Sequence, residues 1–172
     1  MKINIGISDQ DRKQLTEGLS HFLADTYTLY LKTQNFHWNV TGPLFESLHL
    51  LFEKQYQDLA SASDEIAERI RELGFPTLAT FADFQRLSSI RETMGVPTAA
   101  QMVALLVDGN EKCIHTARGM LDVAERSQEQ PTIDLIARRM HIHEKNAWML
   151  RSHLETGESA PRAKPRSTTN AA

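Results

Sequence analysis

The sequence predicts an all-α fold: four long antiparallel helices, with a short extra helix in the long connection between the second and the third. Three observations lead there. Apolar residues recur at three- and four-residue steps along most of the chain. The 8 Gly and 6 Pro among 172 residues gather at a few points and leave long uninterrupted stretches between them. Beyond Lys2 to Ile7, nothing alternates with the period of two that a half-buried strand requires.

The first helix runs from about Asp9 to Phe36, with Leu15, Leu19, Phe22, Leu23, Thr26, Leu29, Tyr30 and Thr33 on its apolar side. Thr41-Gly42-Pro43 ends it. The second runs from about Leu44 to Leu73 and stops at Gly74-Phe75-Pro76. Thr77 to Val96 then hold Leu78, Phe81, Phe84 and Leu87, too long and too apolar a stretch for a bare loop, so a short helix belongs there. The third helix starts after Pro97, where Thr98 can cap, and carries its stripe from Met102 through Cys113 to Ala124. The fourth follows Pro131, with Ile133, Ile136, Ala137, Met140, Ala147, Leu150 and Leu154 facing inward. One long connection among four antiparallel helices is the topology of ferritin-like bundles. The domain reading is residues 1–8 as an N-terminal arm, 9–155 as the bundle, and 156–172 as a polar, weakly basic, disordered tail.

Lys plus Arg number 19 against 22 Asp plus Glu, a net charge of −3, so no global polycation is available to hold nucleic acid. No apolar run reaches membrane-spanning length and Met1 to Gln10 does not read as a leader, so neither insertion nor secretion is expected. The single cysteine, Cys113, lies on an apolar stripe and reads as a small core residue, which fits a reducing cytoplasm.

The second helix carries two stripes. With His49 at zero and 100° per residue, Glu53 falls at about 40°, Asp64 at about 60° and Glu68 at about 100°. Leu48, Phe52, Leu59, Ile66 and Ile70 cluster roughly 140° away, on the face that must be buried. The ligand face therefore looks outward. Eleven residues separate Glu53 from Asp64, roughly 16 Å along the axis, so one copy of this helix cannot close a site with both pairs. A two-fold axis near Gln57 to Ala60 sets the 49/53 end of one helix against the 64/68 end of another, and makes two equivalent sites at once. His37, in the last turn of the first helix, is returned beside His49 by the short Thr-Gly-Pro link. Two imidazoles with three carboxylates suit iron, manganese or zinc better than copper or magnesium.

These residues lie within NFHWNVTGPLFESLHLLFEKQYQDLASASDEIAERIRELG (Asn35 to Gly74), and with HEKNAWMLRSHL (His143 to Leu154) they carry a resemblance to the Dps family, the miniferritins also called DNA-binding proteins from starved cells. The resemblance covers about residues 10 to 155. It implies a ferritin-like four-helix bundle, a hollow dodecamer and a ferroxidase centre shared between subunits. It makes His37, Asp64 and Glu68 the expected iron ligands, with Glu68 bridging, and sets His49 and Glu53 at the second, weaker iron of each pair. Glu53 stands where members often have Asp. Trp38 matches an aromatic beside the centre that absorbs stray oxidising equivalents; an indole packing at a helix end is the alternative. The implied reaction is oxidation of Fe(II) to Fe(III), with hydrogen peroxide as preferred oxidant and ferric mineral stored in the shell, which protects DNA from oxidative damage. Zinc is a candidate substitute for iron. Asp122, Glu125, Glu129 and Asp134 are candidates for an acidic iron-entry pore.

Other readings stand beside this one. Taken singly, Glu53, Asp64 and Glu68 read as a solvated face, and Glu65, Glu68, Arg69 and Glu72 as surface ion pairs. Glu46-Ser47-Leu48-His49 offers one Glu-x-x-His for a site inside the bundle, but the fourth helix has no second copy in that order. The alternative function is a non-catalytic, nucleoid-associated DNA-binding shell protein. A Lys-rich N-terminal arm is missing, whereas the tail sets Arg162, Lys164 and Arg166 against Glu158 and makes DNA a candidate partner through multivalency.

Overall fold

The computed structural model describes residues 3–154. Its helices are α1 (Asp9–Asn39), α2 (Phe45–Glu72), α3 (Phe81–Leu87), α4 (Ala99–Arg118), α5 (Leu121–Arg126) and α6 (Gln130–Arg151). The four long ones form the bundle, and α3 sits in the connection between α2 and α4 as the sequence predicts. The tail cations Arg162, Lys164 and Arg166, and residues 1–2 of the arm, lie outside the described residues.

Helix ends follow local chemistry. The Ser8 hydroxyl accepts from the Asp11 N–H at the start of α1. Thr98 and Gln101 form a reciprocal capping box at the start of α4. At the end of α2, Gly74 N–H donates to Arg71 O and Phe75 N–H to Ile70 O, a pattern that needs the positive φ of Gly74 (96°). A Cβ there would also run into the Ile3 side chain. Arg12, buried in α1, donates to the Leu73 carbonyl from Nη1 (2.7 Å) and so ties the first turn of α1 to the last of α2.

The inward stripe of α2 is buried as the helical wheel requires: Leu48, Phe52, Leu59, Ile66 and Ile70 are all 2% exposed or less. They pack with Leu15, Leu19, Phe22, Leu29 and Phe36 of α1 and with Met102, Leu106 and Cys113 of α4 in one core. Cys113 is fully buried, and burial holds its thiol well above the usual range.

Three sequence expectations are corrected. The third helix is not continuous through Ala124: it ends at Gly119, and Met120 turns inward before α5 begins. The turn is accommodated because Gly18 of α1 leaves room for Met120, whose Cγ lies 2.5 Å from where a Cβ on Gly18 would stand. In α6, Ala137 is exposed and Leu154 lies beyond the helix end, because the residues turned toward the core are Leu135, Ile136, Arg139 and His143. In the connection, only Phe84 of the four apolar residues is fully buried, while Phe81 is 76% exposed.

The periodic pattern hides a set of buried polar groups. Asp25, 1% exposed, accepts from the Ser88 and Ser89 hydroxyls, from the Ser89 N–H (2.6 Å) and from the Thr116 hydroxyl (2.6 Å). One carboxylate thereby fastens the long connection to α1 and α4. Arg139 of α6 makes a forked pair with Asp58 of α2 at 3.1 and 2.7 Å. His143, fully buried, bonds the Asn110 side-chain oxygen through Nδ1 at 2.9 Å. Asn110 donates its own amide to Leu106 O, so its oxygen is the acceptor and His143 Nδ1 carries the proton. Burial, reinforced by the Arg139 charge, lowers the His143 pKa from 6.5 to about 3.

Asp25→Ala should lower the urea stability of the protein by about 2–4 kcal/mol, since several part-buried donors lose one charged acceptor, and should open residues 77–98 to limited proteolysis first. His143 makes a second prediction. Its folded pKa lies below the unfolded value, so the unfolded chain binds the extra proton between pH 6.5 and about 3. Stability through this group is complete above pH 6.5 and falls on acidification, by about 1.4 kcal/mol per pH unit at most, until about pH 3. Denaturation of wild type and His143→Gln across that range should give the variant the shallower pH slope.

Candidate metal centre

α1 ends and α2 begins at one corner of the bundle, joined by Val40 to Leu44, and this brings His37 and His49 together. Their rings stack with centroids 3.8 Å apart and 20° between planes. Each imidazole bonds the other residue's backbone: His37 Nδ1 lies 2.9 Å from His49 O, and His49 Nδ1 lies 2.9 Å from His37 O. A carbonyl oxygen only accepts, so both Nδ1 atoms carry the proton and both Nε2 atoms present lone pairs. That is the tautomer a metal requires of an imidazole, fixed in advance by the backbone. Phe45 stacks on His49 at 5.1 Å, and Tyr56 meets His37 edge-on at 5.2 Å. Glu53, half-buried, stands one turn beyond His49, and its Oε1 accepts from the Gln57 amide at 3.5 Å.

Asp64 and Glu68 are not brought to this corner. They lie on the same helix, both exposed, with Asp64 roughly 16 Å along the axis from Glu53. Accordingly, among the described residues no three His, Cys, Asp or Glu side chains of one chain are placed to share a metal. The neighbouring acids have other duties. Glu65 pairs with Arg138 at 2.6 Å, and Glu72 and Glu129 pair with Arg69, each at 2.6 Å. Asp64 and Glu68 make no ion pair or hydrogen bond among the described residues. The ion-pair reading of this face therefore holds for Glu65, Arg69 and Glu72, and not for Glu68. Gln57, Ala60 and Ser61, between the two groups, are exposed as well, so the strip of α2 that separates Glu53 from Asp64 carries small and polar residues.

Trp38, 64% exposed, lines a surface cavity of about 1050 Å³ with Tyr27, Leu31, Lys32, Phe81 and Phe84. Burial lowers the Lys32 pKa, and its ammonium donates to Arg91 O at 2.7 Å. Of the four pore candidates, Asp122 and Glu125 are exposed on α5, and Asp134 is exposed with Arg138 3.6 Å away. Glu129 is the exception: 3% exposed, it caps α6 by accepting from the Thr132 N–H at 2.8 Å and neutralises Arg69. It is a structural cap. The Glu46-x-x-His49 reading also fails inside the bundle, since Glu46 is exposed and His143 of α6 is engaged with Asn110. Sequence reasoning missed Asp25, Asp58, Arg139 and His143. Their signal was a charged residue at a stripe position, as with Asp25 between Phe22 and Leu29.

The comparisons agree with this architecture. The family model described as Ferritin-like domain matches residues 16–160. The chain is 38% identical over 142 residues to DNA protection during starvation protein 2 of Bacillus anthracis, covering 83% of this chain and 97% of that protein. It is 42% identical over 156 residues to an uncharacterized low temperature-induced protein of Nostoc, covering 90% and 87%. Among solved structures, the Dps protein of Vibrio cholerae, described as a member of a broad superfamily of ferritin-like diiron-carboxylate proteins, superposes with a TM-score of 0.85 at 30% identity, covering 90% of this chain and 98% of that one. The Dps protein of Bacillus brevis gives 0.82 at 32% identity, covering 90% and 100%. A helical bundle with α3 in its long connection, a matching domain model and relatives of this length and identity together establish that the chain belongs to the Dps family of ferritin-like proteins.

Proposed function

We propose that this protein oxidises Fe(II) to Fe(III), with hydrogen peroxide as the preferred oxidant, at di-iron sites shared by two-fold-related subunits, and stores the ferric mineral inside a hollow dodecamer. The observation that carries the reading is the His37–His49 pair: two imidazoles locked with Nε2 lone pairs available, beside a helix whose two unpaired carboxylates cannot reach them within one chain. An antiparallel contact between copies of α2 supplies Asp64 and Glu68 of the partner subunit to His37, His49 and Glu53, and symmetry builds the same site twice.

Each residue has a task in that site. His37 and His49 donate neutral nitrogen and hold ferrous iron. Asp64 and Glu68 of the partner subunit bring negative charge that favours the ferric state, with Glu68 placed to bridge a pair of irons. Two ferrous ions give one electron each to one peroxide, which takes up two protons and leaves as two waters, so no hydroxyl radical is released. Removal of both reactants is the protective step for DNA in the cytoplasm. Zinc takes the same donors without redox chemistry and acts as a substitute that blocks the site.

Asp64→Ala with Glu68→Ala should leave the fold of the subunit intact, since neither residue is engaged within the chain, and should remove the protein's acceleration of ferrous oxidation by peroxide, followed as ferric absorbance. Subunit mixing gives a sharper test. Shells reassembled from equal amounts of His37→Ala and Asp64→Ala/Glu68→Ala protomers should regain about one quarter of wild-type rate, because half the dimers are mixed and each mixed dimer rebuilds one of its two sites. No recovery on mixing would show that the donors belong to one chain and would overturn the shared site.

A further inference from the structure

Lys32 of α1 is 8% exposed, and its ammonium donates to the Arg91 carbonyl at 2.7 Å. Among the described residues no carboxylate pairs with it; Asp108 of α4 is taken by Lys112 at 2.8 Å. Burial, and after it the Lys112 charge, lowers the Lys32 pKa against the opposing pull of Asp108 and Glu92. A buried ammonium whose one bonding partner is a neutral carbonyl lacks a counter-charge, and two of its three N–H groups have no acceptor among the described residues.

The same side chain lines the cavity of about 1050 Å³ between α1 and the segment from Phe81 to Thr93, a volume suited to a small organic ligand. Arg91 brings a second cation to the lining, its guanidinium unpaired among the described residues, and Glu92 brings one carboxylate, so two positive groups against one negative leave the lining with a single net positive charge. Much of the remaining wall is aromatic. Tyr27 and Phe84 stack at 4.6 Å with 27° between planes and form a flat panel, while Phe81, 76% exposed, stands at the opening. The wall on the connection side is fixed in advance, because Asp25 holds Ser88 and Ser89.

Each feature narrows the ligand. The buried ammonium asks for an anion, and the single net charge favours a monoanion over a phosphate dianion. The aromatic panel asks for a flat ring. A small inorganic anion would leave the panel wet, and a neutral arene would leave Lys32 without its counter-charge. We propose that this cavity binds a planar aromatic monocarboxylate, its carboxylate on the Lys32 ammonium and its ring against Tyr27, Phe84 and Phe81. None of His37, His49, Glu53, Asp64 and Glu68 lines the cavity, so the site stands independently of the ferroxidase reading.

The test is calorimetric titration of the full-length assembled protein with 2-naphthoate and two relatives of it: 2-naphthalenemethanol, which keeps the rings without the charge, and decahydro-2-naphthoate, which keeps the charge without the aromatic faces. Wild type should bind 2-naphthoate saturably, with the alcohol about tenfold weaker and the saturated acid weaker by a few fold. Lys32→Met should weaken 2-naphthoate by about tenfold and leave the alcohol unchanged, and Lys32→Arg should restore most of the loss. Phe81→Ala, at an exposed position, should weaken both ring-bearing probes by a few fold. The three probes on wild type decide the chemistry of the site should Lys32→Met fail to fold. Absence of saturable 2-naphthoate binding overturns the proposal, and that includes a cavity filled by a neighbouring subunit. Equal affinity for 2-naphthoate and either relative, or unchanged 2-naphthoate affinity in a folded Lys32→Met or in Phe81→Ala, overturns it as well, and each of these results leaves the ferroxidase reading standing.

Discussion

His37 and His49 hold each other by the backbone. Each imidazole donates from Nδ1 to the other residue's carbonyl, so the end of α1 and the start of α2 are clamped at one corner, and the same two bonds decide which nitrogens are left to bind. A free histidine interconverts between tautomers, and a ligand pair that had to select one on each ring would lose affinity accordingly. Here the choice is made by folding. The short link from Val40 to Leu44 can deliver this geometry because Gly42 takes a φ of 105° and Pro43 follows it, reversing the chain within a few residues.

That corner relies on a rigid bundle, and the bundle relies on buried polar groups as much as on its apolar stripes. Asp25 fixes the connection that carries α3, while Arg139 with Asp58, and His143 with Asn110, join α6 to α2 and α4. A buried charge without partners would cost several kcal/mol, so each such group fixes the register of the helices that supply its partners. Arg69 does the same work at the α2/α6 seam with Glu129 and Thr132. Engagement of the acids beside them is what leaves Asp64 and Glu68 distinct: on one helix, alternate carboxylates serve the subunit's own fold and its outward face.

The outward face of α2 therefore has His49 and Glu53 toward one end, Asp64 and Glu68 toward the other, and no means of combining them within a chain. The spacing along a helix axis is a hard limit, since α2 cannot bend through the distance between Glu53 and Asp64 and keep its core stripe buried.

Much of this was legible in the amino-acid order. Periodicity placed the four long helices and the short one between them, the Gly-Pro stops placed their ends within a few residues, and a helical wheel put His49, Glu53, Asp64 and Glu68 opposite the buried stripe. Those are properties of one helix and its neighbours in sequence, which local propensity and spacing control. What periodicity could not supply is which residues from distant segments meet. The break at Gly119 depends on Gly18 of another helix; the burial of Glu129 depends on Arg69, sixty positions away; the fastening of the connection depends on Asp25 finding Ser88, Ser89 and Thr116. The ring contacts from His37 through Tyr56 to Tyr30 and Tyr27 cross from α1 to α2 and back, and are invisible in either helix alone. The sequence by itself determined that His49, Glu53, Asp64 and Glu68 share the outward side of one helix; only the tertiary structure decided which nitrogens of the histidine pair carry protons, which partners the side chains meet and which acids remain unengaged, because those depend on contacts made across the bundle after the helices have packed.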